Sequence, residues 1–367
     1  MDYIKIEDCC EILDSQRVPI TGKDRVAGEY PYYGANGVQG YVNEYIFDDD
    51  LVLVAEDGGY FGSKTKPIAY KVSGKCWVNN HAHVLKAKEN VDTDYLCYSL
   101  MFYNVDKIVN GATRQKLNQK QLRQMLVPKR TKSKQLEIVR QLKTIERIIE
   151  NKGAQLTDYD QLIKSRFVEM FGDIFNGKSN YPTVKISDVV IPKIERAKKD
   201  FNSDDEIKYV DISSVDNEKN IIIGYSDYLM KDAPSRAQQH VRKNDIVIST
   251  VRPNLNNVAK VSDDYSNIVA SSGFCVLRAS KVEPNFLFAL VSMQSFADYL
   301  ASLTTGANYP AVNDKDILNF EIPNAPFEEQ TKFSDFIKQV DKLKFEVQKS
   351  LDETKKLFDS LMQEYFG

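Results

Sequence analysis

Two stretches, at 111 and 306 and so 195 residues apart, carry the same punctuation: Gly111-Ala-Thr-Arg-Gln-Lys-Leu-Asn118-Gln-Lys120 and Gly306-Ala-Asn-Tyr-Pro-Ala-Val-Asn313-Asp-Lys315. The same offset carries Pro128 onto Pro323, Gln135 onto Gln330, Leu156 onto Leu351, Leu162 onto Leu357, and Phe171-Gly172 onto Phe366-Gly367, with no gap. One offset held along a whole segment marks an internal repeat. Near the start, Ile4-Lys-Ile-Glu-Asp8 matches Val184-Lys-Ile-Ser-Asp188 at a second offset, 180. The chain is therefore two halves of one plan, joined through a breaker-rich stretch at 175–182.

Working outward, the front of each half reads as short strands and turns. Tyr33-Gly-Ala-Asn-Gly37, Leu51–Val54, Asp57-Gly-Gly59 and Ile68–Val72 alternate in the first. Ile207–Ile212, Ile221–Ile223, Asp245–Ser249 and Gly273–Leu277 do so in the second. The back of each half has a helical period. Leu142, Ile145, Ile149, Leu156, Tyr159 and Ile163 recur three, four or seven residues apart, as do Ile337, Val340, Leu343, Val347, Leu351, Phe358 and Leu361. Such narrow stripes on helices of roughly 57 Å need a partner, and the cheapest partner is the other copy. The seam is assigned to Leu142, Ile145, Leu156, Leu162, Ile337, Val340, Leu351 and Leu357. Gly153, costing about 1 kcal/mol against Ala, marks a soft point. A compact second front part joins the end of one helix to the start of the next, so the helices are expected to run antiparallel. The fold expected is α+β: two β-rich domains at 1–130 and 174–325, each followed by a long helix at 131–173 and 326–367. The helices form an antiparallel coiled coil with pseudo-twofold symmetry.

Composition narrows the function classes. The 367 residues carry 49 Lys and Arg against 52 Asp and Glu, which excludes a non-specific polycation. The five cysteines (Cys9, Cys10, Cys76, Cys97, Cys275) are scattered and odd in number, arguing for a reducing compartment rather than a disulfide framework. The start lacks a signal-peptide layout, and the apolar run at Phe286–Met293 is too short for a membrane span. A cytoplasmic location and no membrane partner are expected. Charge is uneven: between Lys107 and Arg147 twelve basic residues face two acidic ones, whereas Ser302–Lys342 holds four lysines against seven acids. The first pattern suits phosphate contact.

The layout resembles the specificity (S) subunit of Type I restriction-modification systems over nearly the whole chain. Its carriers are the Gly111 and Gly306 segments, Pro326-Phe-Glu-Glu-Gln330 and the two Phe-Gly helix ends. Tyr32-Tyr-Gly-Ala-Asn-Gly37, Trp77-Val-Asn-Asn-His-Ala-His83, Ser235-Arg-Ala237 and Asn244–Ser249 also look like stretches of its target-recognition domains. The first copy departs from the pattern, with Lys129-Arg-Thr-Lys-Ser-Lys134 where the proline-glutamate signature is expected. The resemblance implies a non-catalytic subunit that binds a split, asymmetric double-stranded DNA target. It implies two docked modification (methyltransferase) subunits carrying S-adenosylmethionine, and motor-endonuclease subunits using ATP and Mg. A protein-binding coiled-coil scaffold, and a mobile-element recognition module that redirects a host system, remain competing readings.

No catalytic constellation is legible. The chain lacks an Asn-Pro-Pro-Tyr clamp and a G-x-x-x-x-G-K-[ST] loop. His81-x-His83 lacks a third ligand in the sequence, so no metal is expected, and Gly58–Gly62 reads as a hairpin turn. Asn118 and Asn313 read as helix N-caps. For DNA the candidates are Arg114, Gln115 and Lys116 in the first half. In the second they are Arg236, His240, Arg242, Arg252, Asn254, Asn256, Asn257, Asn308 and Tyr309. Arg suits guanine and Asn suits adenine, each through two hydrogen bonds.

Overall fold

The computed structural model describes residues 2–106, 108–109, 115–304 and 310–367. It divides into two compact units, one of Met1–Gly153 with Lys349–Gly367, the other of Ala154–Gln348. The division cuts both long helices, so each unit holds a sheet-rich front part and a half of each helix.

The two units are built alike. Tyr3–Lys5 pairs antiparallel with Leu126–Pro128, placing Tyr3 opposite Pro128. In the other unit Thr183–Lys185 pairs with Glu321–Pro323, placing Thr183 opposite Pro323. The offsets of 180 and 195 thus meet in a single ladder. Each entry strand runs into a one-turn helix, Ile6–Cys9 or Ile186–Val189.

A wholly buried strand lies at the centre of each front part. Leu51–Ala55 sits between Ala82–Ala87 and Ala69–Val72, with Cys10–Ile12 at one edge of the sheet. Ile246–Ser249 sits between Phe274–Leu277 and Val258–Lys260. Successive strand side chains face opposite ways, so a continuous apolar run serves two cores. Val52 and Val54 pack with Leu96 and Leu100 of helix Thr93–Met101, while Leu51 and Leu53 pack with Cys76 and Val78 of a second sheet. Likewise Ile246 and Ile248 pack with Phe286 and Leu290, and Val247 with Val210 and Ile268. The second sheets match too: Tyr30–Gly34 runs parallel to Lys75–Val78, and Glu206–Val210 parallel to Ile268–Ser271.

The long helices are Lys132–Phe171 and Phe327–Phe366, 40 residues each and so about 60 Å long. The first continues through Gly153 without a break, so the glycine does not interrupt it. In the first unit Lys152 donates to Ser350 O (3.2 Å) and Thr354 Oγ1 (3.1 Å), and Tyr365 OH donates to Gln141 Oε1 (2.7 Å). In the second, Lys344 Nζ meets Asp160 at 2.5 Å and the Phe167 and Phe333 rings lie 5.6 Å apart. Numbers rise along one helix as they fall along the other, so the pairing is antiparallel within each unit.

Leu142, Ile145, Ile337, Val340 and Leu351 are buried there. Leu156 is half-buried. Leu162 and Leu357 are 46% and 51% exposed, so their assignment to the seam is corrected. Each sits one residue, or 100° of helix, before the residue that packs inward, Ile163 or Phe358.

A buried glutamine ties each long helix to its front part. Gln135 Oε1 accepts from Asp92 N–H (2.8 Å), and its amide donates to Asn90 O and Arg130 O. Gln330 Oε1 accepts from Glu283 N–H (2.9 Å), and its amide donates to Ala325 O. Asp92 and Glu283 in turn cap the helices Thr93–Met101 and Pro284–Val291. This explains the match of Gln135 to Gln330: at this position the repeat records a bracket.

Candidate nucleic-acid interface

The segment after each repeated glycine returns to the end of the central strand. Leu117 N–H donates to Glu56 O (2.8 Å), with a bridge from Asp57 to Lys116. Val312 N–H donates to Thr250 O (2.9 Å), with a bridge from Val251 to Ala311. These contacts make the loop Asp57-Gly-Gly-Tyr-Phe-Gly62 equivalent to Val251-Arg-Pro-Asn-Leu-Asn256. Asn118 and Asn313 follow directly and cap short helices. Asn118 Oδ1 accepts from Gln121 N–H (3.0 Å), and Asp316 Oδ2 accepts from Asn313 N–H (2.8 Å).

The loops share two left-handed positions but not the path between them, since Pro253–Leu255 forms a 3-10 turn and 59–61 does not. The left-handed positions are Gly58 (φ +66°) and Gly62 (φ +78°) in the first unit, Arg252 (φ +49°) and Asn256 (φ +52°) in the second. Glycine takes this conformation freely and asparagine tolerates it. Arginine there costs on the order of 1–2 kcal/mol.

In the first unit the loop borders a concavity of about 320 Å³ whose lining includes Arg25, Tyr32, Asn36, Gln39, Asn80 and His81. Asn36 Nδ2 donates to Gly58 O (2.9 Å), and His81 Nδ1 meets Asp57 Oδ1 at 2.6 Å. Buried Asn79 orients the rim: its amide donates to Gln39 Oε1 (3.1 Å) and its Oδ1 accepts from His81 N–H (2.8 Å). The two stretches Tyr32–Gly37 and Trp77–His83 thus converge on one wall. Sequence reasoning had both stretches and missed that they meet.

Beneath lies an ion-pair network. His83, wholly buried, bonds Asp14 through Nδ1 (2.6 Å) and Leu117 O through Nε2 (2.7 Å). The fold therefore brings Asp14 and Glu56 to His83, partners the sequence did not reveal, while His81 turns to Asp57. Together Asp14, Glu56 and His83 have the composition of a metal ligand set. Arg17 already supplies the cation, however, at 2.7 Å from Glu56 and 3.6 Å from Asp14, and Lys116 adds another at 3.0 Å from Glu56. Burial works to raise the Asp14 carboxyl, but the His83 hydrogen bond and charge, the Val84 N–H and Arg17 outweigh it and hold it below the usual carboxylate range. Burial likewise opposes Arg17, Lys116 and His83 at Glu56, and the cations win.

The remaining candidates scatter. Arg114, Asn308 and Tyr309 lie outside the described residues. Gln115 and Lys116 are exposed beside the first loop, Lys116 paired to Glu56. Arg236 is exposed at the foot of strand Ala237–Val241, and Arg242 pairs with Glu195 (3.1 Å). His240 does not face outward as a reader: its ring nitrogens meet Asp200 (2.6 Å) and Ser266 O (2.9 Å), leaving nothing for a base edge. Asn256 turns its amide inward to Ser292 O (2.9 Å), bracing the loop. Asn254 is exposed, Asn257 is half-buried, and Asn257 O accepts from Ser249 N–H.

The profile of the Type I restriction modification DNA specificity domain matches residues 1–158 and 178–354, both halves of the repeat. The chain belongs to this family. A putative type I restriction enzyme specificity subunit of Haemophilus influenzae is 35% identical over 140 residues, 38% of this chain and 36% of that protein. The matches to that protein and to a second H. influenzae specificity subunit span little more than a third of either relative's length. A type I restriction enzyme specificity subunit of Methanocaldococcus jannaschii is 22% identical over 93% of this chain and 86% of its own. The crystal structure of a type I restriction-modification S subunit from M. genitalium superposes with a TM-score of 0.57 at 13% identity. That superposition covers 100% of this chain and 96% of the other, a likeness of fold.

Within this specificity-domain family member, the second unit anchors its sheets by a cluster that sequence reasoning also missed. Arg278 donates to Asp245 through Nε (2.8 Å) and Nη2 (2.7 Å), and also pairs with Glu195. Asp245 is buried, so the arginine neutralises a charge that would otherwise be stranded. No helix among the described residues is long and apolar enough to cross a membrane.

Proposed function

We propose that this chain is the DNA-sequence-recognition subunit of a type I restriction-modification enzyme and performs no chemistry itself. Each unit reads one half of a split double-stranded target through the loop edge beside its central strand. The observation that carries this is the duplicated edge, one frame of central strand, loop and returning segment built twice with different side chains. One scaffold presented twice suits two half-sites, and unlike side chains suit unlike half-sequences. Twelve basic residues against two acids in 107–147 support phosphate contact by the first half.

The long helices dock two methyltransferase subunits, which bring S-adenosylmethionine and the catalytic residues, while motor-endonuclease subunits bring ATP and Mg. Support comes from apolar residues left outside the seam at repeated positions: Ile148 and Leu343 are 39% and 50% exposed, as Leu162 and Leu357 are about half exposed. Each pair recurs at the 195 offset, offering one docking patch twice.

The test is methylation-site profiling in cells carrying this chain with its methyltransferase partner, beside light scattering of the purified complex. A bipartite methylated sequence and two partners per chain are expected. Methylation without sequence choice, or an active one-to-one complex, would overturn the reading.

A further inference from the structure

The equivalence of the two loops singles out one side chain, and a role for it in DNA rests on the proposed recognition function. At the first left-handed position the first unit has Gly58 and the second has Arg252. A glycine there would keep the loop relaxed, so arginine is present against the backbone's preference.

The surroundings enforce the conformation. Arg252 N–H donates to Pro310 O (2.8 Å), and Leu255 N–H donates to Arg252 O (3.0 Å). Three asparagine amides pin the rest: Asn217 to Leu255 O (2.8 Å), Asn220 to Asn256 O (3.2 Å) and Val258 O (3.1 Å), and Asn256 to Ser292 O (2.9 Å). Pro253 is buried beneath, while Arg252 itself is exposed. A loop braced from below by three amides, with a strained arginine at its start, holds that arginine's Cα–Cβ direction fixed.

We propose that Arg252 is a specificity-determining residue of the second unit, its guanidinium fork reading the O6 and N7 edge of a guanine in the half-site. Holding a phosphate needs no such fixed direction. Exposed lysines such as Lys198, Lys199 and Lys243 offer charge on flexible stems at no backbone cost. Bidentate base reading does need direction, because the planar fork must meet two acceptors at once. The first unit, with Gly58 in the equivalent place, presents no side chain there and relies on the amide-lined concavity beside its loop.

The test uses the full chain co-expressed with its methyltransferase subunit, as wild type, Arg252→Gly and Arg252→Lys. Thermal denaturation, methylation-site profiling and competition binding with single-position target variants are measured. Arg252→Gly relieves the left-handed strain but also removes the side chain's own contacts, so thermal denaturation serves as the control that the variant is folded. Its discrimination should fall roughly 5- to 150-fold at one base pair of one half-site, with the other half-site unchanged. Arg252→Lys should lose the same discrimination despite keeping the charge. Uniform weakening at all sites that lysine restores would assign Arg252 to phosphate and overturn the proposal, as would unchanged site choice. If the wild-type complex itself methylates without sequence choice, the recognition reading fails. A selective wild type with an equally selective Arg252→Gly refutes the arginine alone.

Discussion

Replacing Leu142 with Ala tests the seam where it is most tightly packed. Leu142 is fully buried against Tyr95, Tyr98, Ile138, Val139 and Met362. The change removes three carbons, about 2.4 kcal/mol of lost transfer free energy at about 0.8 kcal/mol each. A residual cavity adds to this, because the two tyrosines are held by hydrogen bonds to Pro128 O and Glu146 and cannot collapse inward. Met362, unbranched and pliable, recovers part of the loss. The net expectation is about 3 kcal/mol. Leu162→Ala is the control, since Leu162 is 46% exposed, and should cost about 1 kcal/mol or less. Two units need not melt together, so calorimetry with hydrogen exchange should resolve the transition of each. For units of this size about 3 kcal/mol corresponds to a shift of roughly 6–12 °C in the transition that contains Leu142. Equal costs for the two substitutions, or less than about 1 kcal/mol for Leu142→Ala, would refute the seam drawn from burial.

Gln330→Ala should cost about 1–3 kcal/mol in chemical denaturation by stranding Glu283 N–H and Ala325 O, and Gln135→Ala should match it in the other unit; a neutral outcome in either would break the bracket. Asp14 and Glu56 have carboxyls held below their ordinary range, so their stabilisation is complete above the unfolded values near 4. It is lost as pH falls through the depressed folded values. Acid titration should therefore destabilise the first unit below about pH 4, and Asp14→Asn should flatten that slope while lowering stability at neutral pH; an unchanged slope would remove Asp14 from the network's pH response. Leu162→Asp with Leu357→Asp should cost each unit only about 1–2 kcal/mol but weaken co-purification of the methyltransferase subunit about tenfold or more, as for a buried interface anchor. Full co-purification would place the docking face elsewhere.

Much of this protein is legible without coordinates. The 195 offset, the helical period after it and the breaker-rich joint are local properties of the chain, so they announce two equal halves and two long helices. Antiparallel pairing followed from connectivity, and Asn118 and Asn313 read as caps because capping involves residues only three apart. Which leucines join the seam was not legible to the residue: Leu162 and Ile163 are both apolar, one residue turns a helix by 100°, and only the packed neighbours choose between them. The partners of His83 are Asp14 and Glu56, far apart in the chain and joined only when three strands assemble. Likewise the stretches Tyr32–Gly37 and Trp77–His83 become one amide-lined wall only because Tyr30–Gly34 pairs with Lys75–Val78. The match of Arg252 to Gly58 was hidden for a further reason. The two residues differ in every side-chain property and share only a left-handed backbone, a likeness set by the tertiary environment and written in neither residue's chemistry.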